Sequence, residues 1–290
     1  MPALRNASHV PLRPEQENRH DALRLLLRRL NLGYMSRNFA AVALHAAKEG
    51  VTHETFLYEL ARLECEQRDH RRIERRRRLS GLPAEKTFRT LQLSRFPPAL
   101  RLQIERLRAG AFVHEAVNVI ALGRPGAGKS HIAAALGEEL LLLGHAVLWS
   151  TTTALVQRLL AAKRDLRLPQ ELARLERFAC VILDDIGYVQ QDRDEMEVLF
   201  TFLADRYEHQ SVIITTNLVF SEWNRIFKDP MTTMAAIDRV VHHSVILDLM
   251  ALDSYRAEEA QQRRPAASQP LAPGADASAP VPLPTPADPE

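Results

Sequence analysis

The stretch Val117-Asn118-Val119-Ile120-Ala121-Leu122-Gly123-Arg124-Pro125-Gly126-Ala127-Gly128-Lys129-Ser130-His131-Ile132 decides the fold. Its first six residues are mostly apolar and suit a strand. Residues 123–130 fit G-x-x-x-x-G-K-[ST], and residues 131–143 carry a helix-forming pattern rich in Leu and Ala. A random chain of this length meets that motif about once per hundred sequences, and the order strand, loop, helix lowers the odds further. The chemistry needs this order. Gly123, Gly126 and Gly128 let successive N–H groups converge on phosphate oxygens, with Arg124, Pro125 and Ala127 completing the loop. The helix N-terminus adds its positive end. Lys129 offers a point charge to β- and γ-phosphates, and the Ser130 hydroxyl can ligate Mg2+. The loop predicts ATP and Mg2+ as its ligands.

Outward from the loop, short β-rich runs alternate with amphipathic helical stretches. The candidate strands are 117–122, 146–149, 179–183, 212–215 and 245–249. Strands spaced by helices of this length imply parallel βαβ units with right-handed crossovers. The expected fold class is α/β, a P-loop nucleotide-binding core whose parallel sheet is flanked by helices.

Two of these runs end in chemistry. Val181-Ile182-Leu183-Asp184-Asp185 is an apolar strand closed by two carboxylates. Asp184 is placed to hold Mg2+ opposite Ser130, and Asp185 can orient the attacking water as a general base. Val212-Ile213-Ile214-Thr215-Thr216-Asn217 is a second apolar strand with a polar end. Ligands of open α/β sheets sit at that edge, so Asn217 can bond the γ-phosphate or the lytic water.

The flanks have other characters. Residues 1–20 are polar and Pro-containing and read as a flexible N-terminus. In 21–90, Leu23, Leu26, Leu27 and Leu30 recur at helical spacing, as do Phe56, Leu57, Leu60 and Leu63, with Gly33 and Gly50 as punctuation. This reads as a small helical domain ending in a linker around Gly81 and Pro83. From Arg62 to Arg78, eight arginines face four acids, a local charge of +4. Such a run is ordinarily a solvated helix face. Here Arg71, Arg72, Arg75, Arg76, Arg77 and Arg78 crowd one end and suit phosphate-backbone contact on DNA. Residues 91–258 hold the ATPase core. Residues 259–290 form a Pro/Ala-rich tail; eight of the chain's 17 prolines lie in 265–290, which lacks any Lys, Arg or aromatic residue. It reads as disordered.

Composition narrows the function classes. No run of about 18 apolar residues and no secretory leader is present, which points to a cytoplasmic protein without a membrane partner. Cys65 and Cys180 form no CxxC pair, so neither a disulfide framework nor a zinc site is expected. His242-His243 lacks further ligands at metal spacing, and a surface or capping role is expected of it.

The assembled motifs resemble the IstB-like ATPases, the helper proteins of insertion-sequence transposition, which are relatives of DnaC-type helicase loaders within AAA+. The resemblance rests on 123–133, Leu183-Asp184-Asp185-Ile186-Gly187-Tyr188, Asp205-Arg206-Tyr207-Glu208 and Thr215-Thr216-Asn217-Leu218. It extends through Phe220-Ser221-Glu222-Trp223, the block from Ile237 to His243, and Ser254-Tyr255-Arg256. It implies an AAA+ core, ATP-dependent homo-oligomers on double-stranded DNA, and a partner transposase. It further implies an arginine completing a neighbour's site in trans, for which Arg239 is the first candidate, and a phosphate sensor, for which Arg256 is a candidate. Two departures stand out: Asp185 occupies a position where many members carry Glu, and Arg124 one where a small or apolar residue is usual. A helicase loader, or a nucleotide-switched DNA scaffold with little turnover, are the alternatives.

Overall fold

The computed structural model describes residues 14–187, 193–223, 234, 238, 240–252, 254 and 255. Three helices come first: α1 (Pro14–Arg29), α2 (Gly33–Glu49) and α3 (His53–Ser80). α1 begins at Pro14, earlier than the boundary expected at residue 21; proline's fixed φ and missing N–H suit a first helical turn. α2 stops at Gly50, which adopts the left-handed conformation and donates its N–H to the Ala46 carbonyl. α3 starts at Thr52, whose hydroxyl accepts from Thr55 N–H at 3.3 Å. With 28 residues it is about 42 Å long.

The core follows: α4 (Pro98–Arg108), α5 (Ala111–His114), β1 (Asn118–Gly123), α6 (Lys129–Leu142), β2 (Val147–Thr151), α7 (Thr152–Arg164), α8 (Leu168–Leu175), β3 (Cys180–Ile186), α9 (Arg193–Arg206), β4 (Ser211–Thr216) and β5 (Ser244–Leu249). Each predicted strand is present, with ends shifted by no more than three residues. All pairings are parallel, in the order β2-β3-β4-β1-β5. Burial follows from this order. β1 and β4 are buried throughout, whereas the edge strands β2 and β5 are partly exposed. Alternate side chains serve opposite faces. Val181, Leu183, Val212 and Ile214 pack under α7 and α9, while Cys180, Ile182 and Ile213 pack under α6 and α4. Burial pushes the Cys180 thiol up to about 12, so it is an inert core group. α6 lies on the sheet through the small side chains of Ala133, Ala134 and Ala135, all buried.

The segment expected as a linker packs tightly. Leu82, Phe88 and Leu91 join the apolar cluster under α6, and α3 itself packs against α6 and β2. Sequence reading missed this because the segment's apolar residues follow neither period. The helical N-terminal unit has a small core of its own, with Met35, Phe39 and Leu60 buried. Among the described residues, no helix is long and apolar enough to cross a membrane.

Candidate nucleotide site

β1 hands the chain directly to the glycine-rich loop and the loop to α6. Gly126 has φ +84°, and a Cβ there would lie 2.1 Å from Ser254 Oγ, so only glycine fits. The Tyr255 N–H donates to the Gly126 carbonyl at 3.1 Å, which fastens the segment after β5 onto the loop. Gly128 begins α6 with no side-chain cap, leaving the first N–H groups of the helix for an anion. Lys129 is 8% exposed, and its Nζ donates to the carbonyls of Gly123 at 2.8 Å and Arg124 at 3.0 Å. Ser130 is half-buried beside it, and Arg124 and Pro125 are exposed.

A cavity of about 610 Å3 opens against this loop. Its walls come from Ala127 to His131, from Lys86, Gln92, Arg95 and Phe96 before α4, and from Tyr255 after β5. The Arg95 guanidinium stands over the Tyr255 ring, 4.8 Å from its centre. The His131 Nε2 lies 3.1 Å from the Thr87 carbonyl, a contact in which the nitrogen donates. Burial lowers the His131 pKa, which keeps the ring neutral at pH 7. None of Lys86, Gln92, Arg95 and Phe96 was singled out from sequence; they lie in a segment before the phosphate loop that carries no motif, whereas His131 directly follows the loop.

At the same edge of the sheet, β3 ends in the paired acids. Pairing with β4 slips between Leu183 and Ile186, and Asp185 sits in that bulge with φ +67°. Asp184 is half-buried and Asp185 exposed. The Thr215 hydroxyl donates to Asp184 Oδ1 at 2.6 Å and accepts the Asp185 N–H at 2.8 Å. The Thr152 hydroxyl holds the Asp184 carbonyl at 3.2 Å. Gly187 closes the turn with φ +119°; a Cβ there would lie 2.6 Å from Leu218 Cδ1. Asn217 follows β4, and its Oδ1 is buried without a hydrogen-bond partner among the described residues. A buried acceptor left so is out of balance until a donor such as water arrives. The β order puts β4 between β1 and β3, so Ser130, Asp184 and Asn217 share one edge of the sheet. Their oxygen donors suit a hard cation. Arg239 and Arg256 lie outside the described residues.

The arginine run divides. Arg76 donates to the Gly144 carbonyl and Arg77 pairs with Glu138, both on the core. Arg72, Arg75 and Arg78 are exposed and make no ion pair among the described residues. Arg71 is exposed near Gly33. Other sequence blocks prove structural. Arg206 is buried and donates to the carbonyls of Leu175, Phe178 and Ser211. Trp223 is fully buried in the cluster under α7 and α9. The His243 Nε2 contacts the Glu115 carbonyl at 3.0 Å, and the described residues contain no cluster of three metal-ligating side chains.

A strand–loop–helix phosphate cradle on a parallel sheet of this order, with paired acids two strands away, defines a P-loop nucleotide-binding core of the AAA+ class. Residues 25–263 match the family described as IstB-like ATP binding protein, and the chain belongs to that family. An insertion-sequence ATP-binding protein of Sinorhizobium fredii is 39% identical over 86% of this chain and 84% of its own length. The IS21 ATP-binding protein of Pseudomonas aeruginosa is 36% identical over 82% of this chain and 89% of its own. The crystal structure of the DnaC helicase loader matches 54% of this chain and 94% of its own, with a TM-score of 0.45 and 19% identity.

Proposed function

We propose that this chain is the ATPase of an insertion sequence: it assembles with ATP on double-stranded DNA and assists a partner transposase in choosing the target. The observation that carries the reading is one sheet edge holding both a glycine-locked phosphate loop and the acids Asp184 and Asp185. In this reading the loop 123–130 wraps the phosphates and Lys129 exchanges the loop carbonyls for β- and γ-phosphate oxygens. Ser130 and Asp184 would hold Mg2+, whose chemistry is charge neutralisation on the phosphates. Asp185 takes the proton of the attacking water, and the Asn217 Oδ1 accepts from that water and orients it.

The relatives named for insertion sequences support the transposition context, and a transposase is the partner that context supplies. The N-terminal unit, residues 21–90, supplies the DNA contact through the exposed arginines of α3, and 91–258 the ATPase. Assembly brings a neighbour's arginine, Arg239 or Arg256, to the γ-phosphate. The test is ATP turnover by the full chain with and without double-stranded DNA, and strand transfer by the transposase with and without this chain. Turnover that ignores DNA, with transposition that ignores the chain, would defeat the reading. A nucleotide-switched scaffold is the second reading. The short side chain of Asp185 on a left-handed backbone favours it, and it predicts DNA binding gated by ATP without turnover.

A further inference from the structure

We infer that Thr215 is a positioning residue that sets both acidic side chains of the nucleotide site, an inference that rests on the proposed roles of Asp184 and Asp185. Thr215 is 1% exposed on β4, opposite Ala121 of β1 on one side and facing β3 on the other. Its hydroxyl carries one proton and two acceptor lone pairs. The Asp185 N–H, 2.8 Å away, occupies a lone pair, and the proton goes to Asp184 Oδ1 at 2.6 Å. One buried hydroxyl therefore joins the two acids, and neither of its roles can be reversed.

Each bond has a consequence. The first orients the Asp184 carboxylate: Oδ1 is engaged at the sheet, and the other oxygen is left for a cation between β3 and the phosphate loop. The second serves a main-chain N–H that the bulge has removed from the regular ladder, where pairing resumes only at Ile186 with Thr216. It holds Asp185 at φ +67°, a conformation that L residues other than Asn and Asp seldom adopt. In sequence, Thr215 reads only as a β-branched strand residue, because its work depends on a bulge in the neighbouring strand.

Thr215→Val keeps the shape of the side chain and removes both bonds. Thr215→Ser keeps both bonds and removes a methyl. The experiment measures binding of a fluorescent, slowly hydrolysed ATP analogue across a Mg2+ titration, together with ATP turnover and melting temperature, on the full-length chain. For Thr215→Val we expect Mg2+-free affinity within twofold of wild type. The half-saturating Mg2+ should rise about tenfold, the lower end of what losing a partner of a metal ligand does. Turnover should fall at least as far, with melting within a few degrees, and Thr215→Ser should restore both readouts. Wild-type Mg2+ dependence in Thr215→Val overturns the inference. So does an equal loss in Val and Ser variants, which would assign the effect to packing, or unfolding of Thr215→Val, which would make the hydroxyl a fold staple. Asp184→Asn separates the two levels. If it leaves the Mg2+ dependence unchanged, the reading of Asp184 falls and Thr215 with it; a defective Asp184→Asn beside a normal Thr215→Val overturns Thr215 alone.

Discussion

Arg76 of α3 donates to the Gly144 carbonyl, in the turn that leads into β2. This contact, with the Arg77–Glu138 pair, fastens the basic helix to the nucleotide-binding core. One arginine run therefore has two parts. Part of it holds α3 in place, and part, Arg72, Arg75 and Arg78, is exposed without an ion pair among the described residues.

Neutralising this second set, Arg72, Arg75 and Arg78, to Gln should weaken double-stranded DNA binding alike for unrelated sequences. The log–log salt slope should fall by about 0.9 for each phosphate no longer neutralised. Melting temperature should stay put. Arg76→Gln with Arg77→Gln should do the reverse, lowering the melting temperature. A salt titration of DNA affinity beside a thermal melt separates the sets; equal salt slopes in the triple variant and wild type would remove DNA from this face.

Nucleotide affinity should depend on Lys129 and Gly126 for different reasons. Lys129→Ala removes charged hydrogen bonds to phosphate, a loss of about 10- to 100-fold in ATP affinity. Gly126→Ala forces a Cβ into Ser254 and a strained φ, and should disturb both the loop and the Tyr255 clasp. Titration with a fluorescent ATP analogue reads both, and wild-type affinity in either variant contradicts the loop's role.

Asp185→Asn should isolate the acid's chemistry, because Asn tolerates the left-handed backbone that Asp185 occupies. ATP should still bind, with turnover reduced by about 100-fold or more, the range set by general-base catalysis. Asp185→Glu should not improve turnover, since a longer side chain fits that backbone less readily. Steady-state turnover with bound-nucleotide measurements decides it: undiminished turnover in Asp185→Asn would place the base elsewhere.

The phosphate loop and the interior strands β1, β3 and β4 were legible because burial on two faces forces continuous apolar runs that stop abruptly at polar ends. Asp184, Asp185 and Asn217 stand at those ends, where the sequence reading expects polar residues. The cavity wall was not legible: Arg95 and Tyr255 meet through a cation–π contact between segments on either side of the core, and nothing in local sequence encodes it. Nor does charge alone say that Arg76 and Arg77 bond to the core while Arg75 and Arg78 make no ion pair among the described residues. That division depends on where α6 and its following turn lie. Arg206, quoted from a motif block, gave no sign of being buried.

Arg206 is 2% exposed, and burial lowers its pKa to about 10, so it remains a cation at neutral pH. It serves three carbonyls and the Gln210 side chain, while its Nε finds no partner among the described residues. Arg206→Ala should remove a donor from each of those carbonyls and open a cavity, costing about 3–5 kcal/mol. Arg206→Lys keeps the charge but not the planar fork and should still cost about 1–3 kcal/mol. Denaturant unfolding measures both. A Lys variant as stable as wild type would show that charge alone suffices.

Glu64 of α3 is 3% exposed and caps the start of α2 from outside that helix, accepting the N–H groups of Tyr34 at 2.7 Å and Met35 at 3.0 Å. Leu32, at the N-cap position, has no side-chain acceptor to offer. Arg68 completes the arrangement by pairing with Glu64 and donating to the Asn31 carbonyl. Burial pushes the Glu64 pKa up, but the bonds from Met35, Arg68 and Tyr34 outweigh it and leave the pKa below its ordinary value. The sign follows. A carboxyl whose folded pKa is depressed stabilises the fold fully above its unfolded value, near 4.3, and loses that contribution as pH falls through the folded pKa. Glu64→Gln should therefore lower stability by about 1–3 kcal/mol at neutral pH. The gap to wild type should be flat from pH 6 to 8, should begin to narrow as pH falls past the unfolded value of about 4.3, and should close as pH falls through the depressed folded pKa. Hydrogen exchange at the Tyr34 and Met35 amides, followed across that range, reads this helix start directly; a gap that persists unchanged to pH ~3 would mean that the charge of Glu64 is not what holds it.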